Sequence, residues 1–163
     1  MHKILLGMIL AFCFIAVVVN QARAQTRKAG LWEITTTQTY QQSPFPSGAS
    51  PSGGTHTTEV CLTQQQIEKY GANVPQLRGC QITNVVKKPG GMTADMICTG
   101  FMNGKGELES SSNDGIHATG KIHFVGSIKT GSDAKPVEWT SESSSIFKKA
   151  DCGDVKPIPM PDK

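Results

Sequence analysis

Apolar and polar residues alternate with a period of two along most of the chain, the pattern of strands with one buried face. From Leu31 to Tyr40, Trp32, Ile34, Thr36 and Tyr40 fall on one side and Glu33, Thr35, Thr37 and Thr39 on the other. A second strand is expected over Thr55–Leu62. Further strands are expected over Gln81–Lys87 and Met92–Thr99, with a shorter one near Gly106–Ser112. The alternation is clearest from Ile116 to Ile128. There Ile116, Ala118, Ile122, Phe124 and Ile128 share a side with Gly120 and Gly126, glycines that could mark bulges or bends. Val137–Lys149 closes the series with Trp139 and Phe147 on one side. Turn residues punctuate these runs at Lys88-Pro89-Gly90-Gly91, Asn103-Gly104, Asn113-Asp114-Gly115 and Thr130–Pro136.

Three segments break the alternation. Thr63 followed by Gln66 is a capping pattern, Ile67 and Tyr70 supply an apolar edge, and Gly71 supplies a stop. One short helix near 63–70 follows. Residues 41–54 hold three prolines, three glycines and four serines, too few apolar groups to pack, and read as a flexible loop. Residues 154–163 form a Pro-rich tail, extended and frayed beyond Cys152. The expected fold is all-β: an antiparallel meander arranged as a curled sheet or partial barrel, or else a small sandwich.

The N-terminal run is of another kind. Lys3, the apolar stretch Ile4–Val19 and the small-x-small triplet Ala22-Arg23-Ala24 make a cleavable signal helix over residues 1–24, with cleavage between Ala24 and Gln25. Its 16 apolar residues fall short of the roughly 20 that span a bilayer. Cys13 follows Phe12 rather than a small residue, which argues against lipidation. Residues 25–163 then form a single domain, of ordinary size for one core.

Charge changes the picture once the signal is removed. Of 16 basic residues Lys3 and Arg23 leave, so 14 face 13 acidic ones, a net charge of +1. Such a surface has no general attraction for phosphate backbones or anionic lipid, so neither nucleic acid nor a stable membrane association is expected.

Loss of Cys13 leaves Cys61, Cys80, Cys98 and Cys152, an even set that in an exported chain reads as two disulfides with three possible connectivities. Cys80 and Cys98 flank the Lys88–Gly91 turn almost symmetrically and would face each other in a hairpin. That ranks Cys80–Cys98 with Cys61–Cys152 first. Spacings of 19, 18 and 54 residues do not suit a zinc site, and no C-x-x-C exists.

Catalytic chemistry finds little support. His117 and His123 share a strand face about 20 Å apart, and His56 points away from Glu59 and Cys61. No metal and no cofactor is expected. Glu107/Glu109 and Glu138/Glu142 each share a strand face, and Glu107/Glu109 satisfies a glycosidase-like separation only because any i, i+2 pair on a strand does. No serine sits in a G-x-S-x-G elbow. The chain is expected not to be an enzyme, and an envelope hydrolase ranks last among its possible functions.

Gly30-Leu31-Trp32-Glu33, Cys61-Leu62-Thr63 before the helix, two mid-chain cysteines and Asp151-Cys152-Gly153 occur in an order that carries more than strand physics. This layout resembles a family of small exported bacterial proteins of unknown function marked by a Gly-Leu-Trp-Glu motif and four cysteines. The resemblance spans Arg27–Gly153, although no tryptophan precedes Asp151 here. It implies a periplasmic or secreted location in a Gram-negative bacterium, and no reaction. The leading functional expectation is a monomeric, non-enzymatic binder of an apolar or amphipathic small ligand, or of an envelope partner. Trp32, Tyr40, Phe124 and Trp139 are the ligand-facing candidates, with Ile122 beside them. A structural or protein-interaction module of the envelope, using edge strands or exposed Thr- and Ser-rich strands, is the alternative.

Overall fold

The structure is a computed structural model that describes residues 27–45, 53–70 and 79–159. The expected signal helix, the Ala24/Gln25 cleavage point, the centre of the 41–54 loop, the Gly71 stop and the last residues of the tail lie outside the described residues.

Seven strands form one antiparallel sheet: β1 (Gly30–Gln42), β2 (Thr55–Leu62), β3 (Cys80–Lys88), β4 (Gly91–Cys98), β5 (Met102–Ser111), β6 (His117–Thr130) and β7 (Asp133–Lys149), with the short helix α1 at Gln64–Tyr70. The spatial order is β2-β1-β7-β6-β5-β4-β3. β3 to β7 are a meander, and the β1–β2 hairpin adds to its far side through a long-range β1–β7 pairing. The described residues form no sandwich, because their seven strands all belong to one sheet. β1 runs through Gln42, two residues into the segment expected as loop.

The period-two pattern sorts the faces. One face carries Trp32, Ile34 and Tyr40 of β1, Val137 and Trp139 of β7, Ile122 and Phe124 of β6, Leu108 of β5 and Met92, Ala94 and Met96 of β4. Met96, Phe124 and Trp32 are fully buried although no second sheet covers them. The sheet therefore curls around its own side chains, with α1 closing one end. Phe124 stacks on Trp139 at 5.5 Å, with Met96, Cys98, Ile128 and Val137 around them. At the other end Trp32 meets Phe147 edge-on at 5.6 Å and packs with Leu62, Ile67 and Ala118. Lys87, on the far edge, donates to the Glu68 carbonyl of α1, so both margins of the curl reach the same helix.

The helix start follows its sequence. Thr63 N–H donates to Gln66 Oε1 at 2.8 Å, and Gln66 N–H donates to Thr63 Oγ at 3.2 Å, the reciprocal capping box. Buried Gln66 also donates from Nε2 to the Ile158 carbonyl at 2.5 Å. Pro157 bridges Cys61, so the tail is pinned beyond Cys152 at least as far as Ile158.

Asn103-Gly104 does not make a turn. It lies inside β5, and the chain reverses before it, at Gly100 (φ 119°). Gly104 faces Gly126, and a Cβ there would stand 2.4 Å from the Val125 carbonyl and 2.8 Å from the Phe124 ring. The glycine serves close packing beside Phe124 rather than a reversal.

Disulfides join Cys80 to Cys98, directly opposed across β3 and β4, and Cys61 to Cys152, 91 residues apart. Two such bridges suit an oxidising compartment. No described helix is long and apolar enough to cross a membrane.

Candidate functional site

The aromatic candidates divide by burial. Trp32 and Phe124 are 0% exposed and Trp139 is 5% exposed, each packed by core neighbours. Trp32 is held further by donation from Nε1 to the Lys28 carbonyl at 2.9 Å and by the Arg27 guanidinium 4.5 Å from its ring. Arg27 is buried with no hydrogen-bond acceptor on any guanidinium nitrogen among the described residues, and burial pulls its pKa down to about 10. Tyr40 is only half-buried. It accepts from Gln38 Nε2 at 3.2 Å and sits near half-buried Ile122. The four candidates therefore do not line one open surface.

The other face of the sheet is polar and carries the accessible chemistry. Across β6, β5 and β4, His123 stands opposite Glu107 and Glu107 opposite Asp95. On β3 the register shifts between Thr83 and Val86, and Asn84 takes φ 51°, unusual for a non-glycine residue. This bulge aims the Asn84 amide at Asp95, where Nδ2 donates to Oδ2 at 2.7 Å. His123 Nε2 lies 3.0 Å from Glu138 Oε1. Asn84, Asp95, Glu107 and His123 are shared by two adjoining shallow depressions of about 490 Å³ each.

Two like charges directly across a strand pair repel, at a cost of some tenths of a kcal/mol. Among the described residues no cation pairs with Glu107 or Asp95. The nearby Lys121 is committed to Glu142 at 2.9 Å. Around this acidic centre Val86, Ile97 and Val125 are exposed at 53, 40 and 52%. Lys105, two residues from Glu107 on β5, lines one depression and Lys121 the other. The patch thus presents two acids without an ion-pair partner among the described residues, Asp95 accepting from Asn84, with an apolar border. No serine or cysteine lines either depression, and no group of three His, Cys, Asp or Glu among the described residues can hold a metal ion.

His117 has an acid beside it but no activated nucleophile. Its Nδ1 is 2.5 Å from Asp114 Oδ2, and Ser112 is close by, yet the Ser112 hydroxyl donates to the His117 backbone carbonyl and not to the ring. Asp114 also accepts from the N–H groups of Ile116 (2.9 Å) and His117 (2.7 Å), which makes it a turn-forming residue. The His117 ring and these backbone donors hold its carboxyl well below the usual carboxylate range. His56 is exposed on β2, on the opposite face from Glu59. A third depression, of about 520 Å³, is floored by hydroxyls and charges: Thr35, Thr37, Thr119, Lys121, Glu142 and Ser144.

The sequence places Glu107, His123 and Glu138 on strands but gives them no common site. Asp95 and Asn84 were missed. The only signal for Asn84 was an Asn amid strand-forming residues, and cross-strand register, which assembles the patch, follows from strand pairing rather than from local pattern.

No curated protein and no solved structure gives a significant match to the chain. A family pattern described as "Protein of unknown function (DUF3617)" matches residues 27–152, from the buried arginine against Trp32 to the cysteine that tethers β2. The match takes in every strand and both disulfides, and the chain belongs to that family.

Proposed function

We propose that this chain is an exported, non-enzymatic binding module that engages a partner protein of the bacterial envelope through the Asn84–Asp95–Glu107–His123 patch. The observation that carries the reading is the opposed pair Glu107/Asp95, with no ion-pair partner among the described residues and bordered by exposed Val86, Ile97 and Val125. Such a surface suits a lysine or arginine side chain set in an apolar surround, as protein partners present. The depressions are too open to enclose a small molecule in the way ligand pockets do. Export to the periplasm or beyond is supported by the signal-like N-terminus and by the two disulfides.

Chemical-shift mapping tests this reading. Extended peptides carrying Lys or Arg, added to labelled oxidised protein, should move the amides of Asn84, Asp95, Glu107 and His123. The response should disappear in the Asp95→Asn/Glu107→Gln variant. Shifts that avoid these residues would remove the proposal's basis.

A second reading rests on Tyr40. It keeps partial exposure beside Ile122, Gln38 and Ser141 on the otherwise buried face, and an amphipathic small ligand could lie there. Shifts confined to Tyr40 and Ile122 on adding a fatty acid would favour it.

A further inference from the structure

The two edges of the sheet are protected unequally. β3 carries the bulge at Asn84 and ends in Lys87-Lys88, devices that discourage pairing with another strand. β2 has no proline, no lysine and no register shift, and Thr55–Glu59 are all exposed.

Hydrogen-bond parity shows what β2 offers. Gln38 N–H donates to the Gly54 carbonyl, and the β1–β2 register runs on without interruption, so the even-numbered residues of β2 bond to β1. The odd-numbered residues point their backbone groups outward. Cys61 fits this, since its outer side bridges Pro157 of the tail. Among the described residues nothing pairs the outward N–H and C=O groups of Thr55, Thr57 and Glu59, three donors and three acceptors.

We propose that β2 pairs antiparallel with β2 of a second copy of this chain, with Thr57 on the two-fold axis, joining the two sheets into one. This register opposes Thr57 to the second copy's Thr57 and Thr55 to its Glu59, so all six outward groups are used. A register centred on Thr58 would oppose Thr55 to Cys61, whose outer side the tail already occupies. Side chains agree with the first arrangement. A two-fold axis normal to the sheet keeps each face continuous, so Glu59 meets a threonine hydroxyl rather than a second carboxylate. Thr35 and Thr37 already bond the Thr57 and Thr55 hydroxyls at 3.0 and 2.8 Å, and the contact extends those ladders. On this proposal the chain is a dimer, where the sequence led to the expectation of a monomer. This inference is independent of the Asp95/Glu107 patch, which lies near the opposite edge.

The test is sedimentation velocity on the full mature, oxidised protein over a concentration series. The wild type should approach twice the monomer mass, and Thr57→Pro should stay monomeric throughout. Proline there removes only an outward N–H, which edge strands tolerate. If Thr57→Pro fails to fold, Thr57→Lys, which sets two like charges on the axis, should give the same loss. Cross-linking fixes the register. Directly opposed, hydrogen-bonded residues have Cα atoms about 5.5 Å apart, within disulfide range. Thr57→Cys should therefore form a covalent dimer under oxidation, and Thr58→Cys should not. A wild type that stays monomeric, a dimer indifferent to Thr57→Pro and Thr57→Lys, or cross-linking at Thr58 in place of Thr57 would each overturn the proposal.

Discussion

Asp114 shows how much one side chain can fix. Its carboxylate gathers two backbone N–H groups and the His117 ring, and so shapes the turn that leads into β6. Its pKa is depressed on folding, so the stabilisation is complete above the unfolded value near 3.8 and is lost as pH falls toward the lower folded value. Asp114→Asn should lower Tm at pH 7, with the gap to wild type narrowing below about pH 4 in thermal melts. A gap independent of pH would mean the charge contributes nothing. Gly104 is the residue-scale case in which local sequence misleads. Asn-Gly reads as a turn, but the decisive fact is the 2.4 Å that would separate a Cβ from the Val125 carbonyl, and that neighbour is known only once β5 and β6 are paired. Gly104→Ala should cost about 1–3 kcal/mol in denaturant unfolding, as overpacking does.

Elements were legible where the signal was local. The capping pair Thr63/Gln66, the alternation from Ile116 to Ile128 and the Lys88–Gly91 reversal all appear in the structure, because each depends on residues within a turn or a strand. The β3 bulge had no such signal. Two residues of β3, Asn84 and Val85, oppose the single residue Ala94 of β4, and only that pairing displays it. Helix α1 is short enough to depend on its cap and on Leu62, Ile67 and Trp32 for its existence. Thr63→Ala should destabilise the protein by about 1 kcal/mol in chemical denaturation. An unchanged midpoint would show that packing alone holds the helix.

At the scale of the whole molecule, the sheet needs its covalent closures because a single curled layer has a thin core. The Cys61–Cys152 bridge spans 91 residues and should stabilise by about 4–5 kcal/mol in the chain-entropy model, against about 3 kcal/mol for the 18-residue Cys80–Cys98 loop. Replacing each pair by serine and comparing denaturation midpoints should reproduce that order; the reverse order would mean that native packing around the β3–β4 hairpin outweighs loop entropy. Strand order was beyond the sequence, since the β1–β7 pairing joins segments about a hundred residues apart. The candidate patch depended on that same information. Its acids look like ordinary solvated positions until register sets Glu107 against Asp95 and the bulge brings Asn84 alongside. Of the aromatic candidates, Trp32, Phe124 and Trp139 pack the core, where large residues contribute most area, and Tyr40 stays half-buried.

The most direct test is capture from a bacterial envelope extract, with immobilised oxidised protein as bait and quantitative mass spectrometry as readout. Wild type and Tyr40→Ala should retain the same partner protein, and the Asp95→Lys/Glu107→Lys variant, confirmed as folded by its circular dichroism, should lose it. Undiminished capture by the charge-reversed variant, or loss of the partner on Tyr40→Ala alone, would contradict the account.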